Sequence, residues 1–169
     1  MEKIGMGGSC HWCTEAIFQS LKGVDKVEQG FVASEAKNGI FSEAVLVHYN
    51  KAIIPLKDLI EIHLHTHEST SNHSMRQKYR SAVYSFSEAQ RMEAKIILIG
   101  LQPDFERTLI TEVLPFMAFK PSDTQFFNYY YSDPKKPFCR NYIQPKLKLL
   151  LEKFSGSINV QAIYSRLHT

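Results

Sequence analysis

The feature that most constrains this chain is the run Gly7-Gly8-Ser9-Cys10-His11-Trp12-Cys13 near its start. Adjacent glycines permit a turn that residues with a Cβ resist, and they interrupt any regular element. Residues 3–6 therefore read as a short strand entering the turn. A helix leaves it, with Ser9 or Cys10 near the N-cap. A cysteine there meets free amide N–H groups and the positive end of the helix dipole, which favour thiolate over thiol.

The pattern after the turn supports this reading. Ile17, Phe18 and Leu21 follow helical spacing, and Gly23 is a stop signal. Residues 24–32 read as extended, with Gly30 as a bulge, and 35–40 as a loop turning at Asn38-Gly39. Residues 43–49 are rich in apolar and β-branched side chains and predict a strand ended by Asn50. Pro55 opens a helix with Leu56, Leu59, Ile60 and His63 on one face. The polar stretch 66–76 predicts a loop, and 81–86 a second good strand. Ser87 and Gln90 form a capping box that starts a helix to about Ile99. A strand at 109–113, an aromatic helix at 123–131 and a last helix at 145–154 follow. This order predicts an α+β two-layer sandwich with a mainly antiparallel, ferredoxin-like sheet and flanking helices. It predicts one domain over 1–154 and a C-terminal surface tail over 155–169.

With 169 residues, 44% of them hydrophobic, the chain can bury a sizeable core. The net charge is +3, and the basic residues are scattered rather than gathered in the stripe that nucleic acid requires. The densest group, Lys146, Lys148 and Lys153, reads as a solvated helix face. No apolar segment reaches the roughly 18 residues of a membrane span, and no secretory h-region leads the chain. The expectation is a cytoplasmic protein with neither nucleic-acid nor membrane partners. Three cysteines argue against a disulfide framework and leave catalysis, metal binding or inert burial.

Cys10 is the main candidate for chemistry, as a nucleophile, against the alternative of a buried inert thiol. Cys13 completes a C-x-x-C pair that suits a redox disulfide or two zinc ligands. His63, His65, His67 and His73 suggest a metal site, opposed by the place of His63 on an apolar helix face. Glu43, at the head of an apolar strand, is either a solvent-facing end or a buried general acid. Tyr79 is either a packing residue or an oxyanion donor. Cys139 is either a resolving cysteine or an unpaired surface thiol.

Taken in order, these residues resemble the A-type peptide methionine sulfoxide reductase (MsrA) family over about residues 3–153. Gly8-Ser9-Cys10-His11-Trp12 is similar to the family's Gly-Cys-Phe-Trp signature, and Phe41-Ser42-Glu43-Ala44 resembles its Gly-His-Ala-Glu motif. Gln77-Lys78-Tyr79-Arg80-Ser81 resembles Gly-Thr-Gln-Tyr-Arg-Ser, and Pro137-Phe138-Cys139-Arg140 resembles the recycling-cysteine tail. The resemblance implies thiol-dependent reduction of methionine-S-sulfoxide, free or in proteins, through a sulfenic acid and an intramolecular disulfide. Cys10 would be nucleophile, Glu43 proton donor and Tyr79 a donor to the sulfoxide oxygen. Trp12, with His11 and Phe31, would line the substrate pocket. Cys139 would resolve the sulfenic acid, with Cys13 as competitor. It implies thioredoxin as reductant and no metal or other cofactor.

The chain departs from the pattern at four places. His11 replaces the family's Phe, Phe31 falls at a second family tyrosine, Ser74 near a family aspartate, and Phe126-Phe127 at a His-Gln pair. As an imidazolium, His11 would lower the pKa of Cys10 or donate to the substrate oxygen. Two other functions fit the residues without the resemblance: a C-x-x-C thiol–disulfide oxidoreductase, and a zinc-binding interaction module.

Overall fold

A central strand, β3 (Ser42–Tyr49), separates two apolar faces by its alternation. Val45, Val47 and Tyr49 point into the larger cluster; Ala44 and Leu46 point into a smaller one with Val32, Ala82, Tyr84 and Leu114. Glu43 shares the parity of Val45 and Val47, so the chain's arithmetic aims it at the helical layer.

The computed structural model describes residues 1–161 and 163. It is an α+β architecture in the order β1 (Glu2–Gly7), α1 (His11–Gln19), β2 (Val24–Ala33), β3, α2 (Leu56–His65), β4 (Ala82–Ser85) and α3 (Glu88–Leu101). Then come β5 (Glu112–Pro115), β6 (Ala118–Pro121), α4 (Tyr129–Ser132) and α5 (Gln144–Lys153). The strands form one mixed sheet, ordered β5-β4-β1-β3-β2-β6. β4 and β5 run parallel; the other neighbours run antiparallel. β1 pairs with β3 from Glu2↔Tyr49 to Gly7↔Ala44, which fixes the glycine turn beside the start of β3. Ile4 and Met6 from β1, Ile17 and Phe18 from α1, and Leu59 and Ile60 from α2 share the larger cluster.

Several expected elements differ in detail. The strand expected at 109–113 runs from Glu112 to Pro115, and β6 carried no signal strong enough to predict it. The helix expected at 123–131 is a 3-10 turn, Thr124–Phe126, and then α4. Asn128 breaks it with a left-handed backbone, φ 55°, which Asn tolerates better than most residues. The last helix has a π-helical preface, Cys139–Ile143, ahead of α5. The Ser87 cap is present: its hydroxyl accepts from the Gln90 amide at 3.1 Å.

The expected surface tail is corrected. Ile158 is fully buried and bridges to Leu21, and Ile163 is buried in the main cluster. Burial of these two apolar side chains favours docking of the segment. The tail expected over 164–169, and at Ala162, lies outside the described residues.

Candidate active site

Cys10 is the N-cap of α1, and its carbonyl accepts from the amides of Cys13 and Thr14 at 3.0 and 3.2 Å. The glycine turn delivers it there. A Cβ on Gly8 would lie 2.4 Å from Cδ2 of His67, so only glycine lets the two segments touch. His67 is held in turn, with Nε2 2.7 Å from the Ser81 hydroxyl, which lies 2.7 Å from that of Thr111. Burial depresses His67 to about 3 and also lowers His63, which is fully enclosed. Both imidazoles are neutral struts beneath the turn.

Cys10 and Cys13 stand together at the mouth of α1 and ionise as a coupled pair. Within it Cys10 is raised by Cys13 and by burial, against the Trp12 amide, which favours its thiolate. Cys13 is lowered by Cys10, despite burial, and the Lys146 ammonium acts in the same direction. Cys10, Cys13, Tyr79 and Lys146 line one open cavity of about 550 Å³, with Phe138 and Tyr142 on its wall.

The structure does not bring every expected residue to that cavity. His11, Trp12, Phe31 and Glu43 are outside its lining. Trp12 lies parallel to Tyr129 with centroids 4.1 Å apart, stacks on Phe126, and meets Phe138 edge-on. Its ring is the centre of an aromatic cluster. Glu15 fastens that cluster: its carboxylate accepts from the amides of Asn128 and Tyr129 and from Gln29 Nε2 at 3.0–3.1 Å.

Glu43 is buried. Its Oε1 accepts from the His11 amide at 3.3 Å, one residue from Cys10, and Lys78 Nζ stands 3.7 Å from Oε2. The cross-strand pair Phe31↔Glu43 puts both side chains on one face of the sheet, and the Phe31 ring meets His11 edge-on at 5.1 Å. The expectation that His11 acts on Cys10 is corrected. Its Nδ1 bonds the Gly30 carbonyl at 2.7 Å and its Nε2 faces Glu43 Oε1 at 3.2 Å. Burial lowers its pKa, against Gly30 and Glu43, which raise it.

Cys139 is fully buried in the π-helical turn, not the surface thiol of the alternative, and burial raises its pKa. His65, His67 and His73 line the same cavity as Cys10 and Cys13, but their ligand atoms do not converge with the thiols. Among the described residues the one grouping of potential ligand atoms is Glu61, His65 and Asp104, and His65 there stacks on Phe105 at 4.6 Å.

Two residues were missed from sequence. Lys146 was assigned to a solvated face, yet it faces the thiols and burial lowers its pKa. Its i, i+1 and i+4 relation to Leu147 and Leu150, both in the main cluster, was the available signal. Arg76, read as part of an aperiodic loop, bonds four carbonyls around the cysteine turn.

The fold and the cysteine-headed helix define a thiol-redox class of protein, and comparison with known proteins gives the family. The family model described as peptide methionine sulfoxide reductase matches residues 2–158. The chain belongs to that family. It is similar to the Acinetobacter baumannii (strain SDF) protein named peptide methionine sulfoxide reductase MsrA, 29% identical over 91% of this chain and 96% of that one. The fold is similar to that of reduced Mxr1 from Saccharomyces cerevisiae, with TM-score 0.73 and 21% identity over 82% of this chain and 88% of that one. A structure of Mxr1 in complex with Trx2 aligns with TM-score 0.61 and 22% identity over 73% of this chain and 82% of that one. No helix among the described residues is long and apolar enough to cross a membrane.

Proposed function

We propose that this chain reduces methionine sulfoxide, as the S epimer and free or in proteins, to methionine. One observation carries the reading: the Cys10 thiol stands at the mouth of α1, in one cavity lining with Cys13, with the Glu43 carboxyl held to the next residue's amide. Nucleophile and proton acceptor share the first turn of α1, and the proton donor reaches that turn from β3.

Cys10 attacks the sulfoxide sulfur while its proton passes to the Cys13 thiolate. Glu43 gives a proton to the sulfoxide oxygen as the S–O bond breaks. Methionine leaves, and the hydroxyl remains on Cys10 as sulfenic acid. Tyr79, on the cavity wall, is suited to steady the charge on that oxygen. Cys13 then attacks the sulfenic sulfur, forming a disulfide and releasing water. A dithiol of the thioredoxin type restores both thiols by exchange, a reading supported by the relative solved with Trx2. Cys139, buried behind the pair, becomes a second acceptor of the disulfide when its π-helical turn opens. The strand order β4-β1-β3-β2 supports a ferredoxin-like core, and the odd number of cysteines, three, favours a reducing compartment over a disulfide framework, which we read as the cytoplasm.

The Cys10–Cys13 pairing also favours a second reading, a general thiol–disulfide oxidoreductase. An assay of both sulfoxide epimers with dithiothreitol and then thioredoxin, beside reduction of insulin disulfides, separates them. The expected result is turnover of the S epimer and no more insulin reduction than dithiothreitol gives alone. Insulin reduction without sulfoxide turnover would reverse the assignment.

A further inference from the structure

We propose that His11 and Glu43 hold a single proton between Nε2 and Oε1, and that this pair is the proton store for the sulfoxide oxygen. The inference deepens the proposed function and rests on it. Its geometry needs an imidazole at position 11, where the family signature that the sequence resembles has Phe.

The argument is one of hydrogen-bond valence. The Gly30 carbonyl can only accept, so its 2.7 Å contact with Nδ1 requires the proton of the neutral ring on Nδ1. Nε2 then offers a lone pair, and it faces a carboxylate oxygen at 3.2 Å. Two lone pairs do not face one another in a buried site without a proton between them. Either the ring is an imidazolium beside a carboxylate, or the carboxyl is protonated and donates to Nε2. Both states carry one shared proton and no net charge, which suits a place where both side chains are only 8% exposed. The second state is the donor form in the sulfoxide step, with the proton on Glu43 Oε1 directed at Nε2.

The surroundings restrict what else titrates the pair. From β2 it meets the Gly30 carbonyl and the uncharged Phe31 ring. From its own helix it meets Trp12 and the field of the Cys10–Cys13 pair. From the segment before β4 it meets Lys78. Lys78 is more than half exposed, so its pull on Oε2 is screened by water.

The proton balance closes. Glu43 passes the proton to the sulfoxide oxygen and is left as a carboxylate facing Nε2. When an external dithiol reduces the Cys10–Cys13 disulfide, two thiols are released; Cys13 ionises and returns its one proton to the pair. His11 touches no reacting atom in this scheme. It is a positioning residue that holds the donor's proton by accepting it.

Two measurements test the pair. The first is nitrogen NMR of His11, assigned with His11→Gln, at neutral pH in the full-length reduced protein. The expected spectrum shows Nδ1 protonated and Nε2 shifted from the free imine value toward that of a protonated nitrogen, with that displacement reduced in Glu43→Gln. An Nε2 resonance at the free imine value and indifferent to Glu43→Gln, or a ring protonated on Nε2 alone, overturns the proposal. The second is the pH dependence of a single turnover without external reductant. In His11→Gln the side-chain amide donates to Glu43 and stabilises its carboxylate, so the alkaline limb moves to lower pH, by on the order of one unit. An unmoved limb overturns the proposal even if the rate falls. A parent protein inactive on both sulfoxide epimers overturns the proposed function instead, and the nitrogen spectrum still decides whether the proton is shared.

Discussion

Arg76 donates from Nη1 to the carbonyl of Gly8 at 2.7 Å, two residues before the nucleophile. The same nitrogen reaches the Tyr79 carbonyl at 2.8 Å, Nε reaches Ser71 at 2.9 Å, and Nη2 reaches Glu68 at 2.6 Å. One guanidinium therefore ties the loop between α2 and β4 to the cysteine turn, and it holds the backbone of Tyr79, which lines the cavity with Cys10. The planar fork is what makes this work, and an ammonium does not reproduce it.

The first prediction follows. Arg76→Lys costs about 2 kcal/mol, because most of the charge-assisted bonds are lost and their carbonyls left to water. In a chain of this size that lowers Tm by roughly 4–8 °C. Sulfoxide reduction falls more than the Tm does, since Tyr79 loses its anchor. A thermal melt beside a single-turnover assay checks both, and a melting point unchanged within a degree would remove the loop-anchoring role.

The buried imidazoles predict how the fold responds to acid. His67 is held near 3 by burial, whereas the unfolded chain binds that proton near the ordinary histidine pKa of about 6.5. Between those two values the unfolded state carries more protons, so stability is fully present above about pH 6.5 and declines as pH falls. The slope from one such group is about 1.4 kcal/mol per pH unit. His67→Gln keeps a polar contact for Ser81 and removes the proton. The expected result is a shallower loss of stability from pH 6 to 4 than in the parent, read from urea unfolding. Parallel curves for the two proteins would mean that His67 is protonated in the fold.

The segment after α5 predicts a core-like mutation where the sequence suggested surface. Ile158 is fully buried and its neighbour Asn159 donates to the Ser20 carbonyl at 2.9 Å. Ile158→Ala deletes packed atoms and leaves a void, at a cost of about 2–4 kcal/mol, or roughly 5–15 °C in Tm. A surface position would tolerate the change within a degree or two, so a melting curve decides between the two descriptions.

What the sequence made legible was what short-range rules control. The strand at 43–49, the Ser87 cap, the helix opened by Pro55 and the glycine turn were all written in period, capping and turn chemistry. Strand parity puts Glu43 on the face of Val45 and Val47, but the choice between a solvent-facing end and a buried acid beside α1 needed the fold. Residues whose role depends on a distant partner were not legible. Arg76 reads as a loop charge until the Gly8 carbonyl is known to face it. Lys146 reads as solvent-facing until the cysteine pair is placed beside it. Asn128 ends a helix in which residues 123–131 look continuous, because a carboxylate from Glu15 holds the backbone amide there. His11 stood out as a departure from the family signature, but adjacency suggested Cys10 as its partner when the fold supplies Gly30 and Glu43.

The thiol pair gives the last prediction. Cys13 lies in the first turn of α1 with Cys10 and lines the same cavity, while Cys139 is enclosed in a π-helical turn. The nearer sulfur both takes the proton of Cys10 and attacks the sulfenic acid. Cys10→Ser then abolishes reduction with any reductant, since an alcohol is far less ionised than a thiol at neutral pH. Cys13→Ser removes the proton acceptor and the resolving thiol together. It slows the first turnover by roughly 10- to 100-fold and lets sulfenic acid accumulate, which dimedone labelling and mass spectrometry detect. Cys139→Ser leaves the first turnover and the Cys10–Cys13 disulfide intact, and it slows recycling only if the buried thiol passes oxidation on to thioredoxin. A Cys13→Ser protein that forms disulfide at the parent's rate would transfer the resolving role to Cys139 and require its turn to open on the timescale of a single turnover.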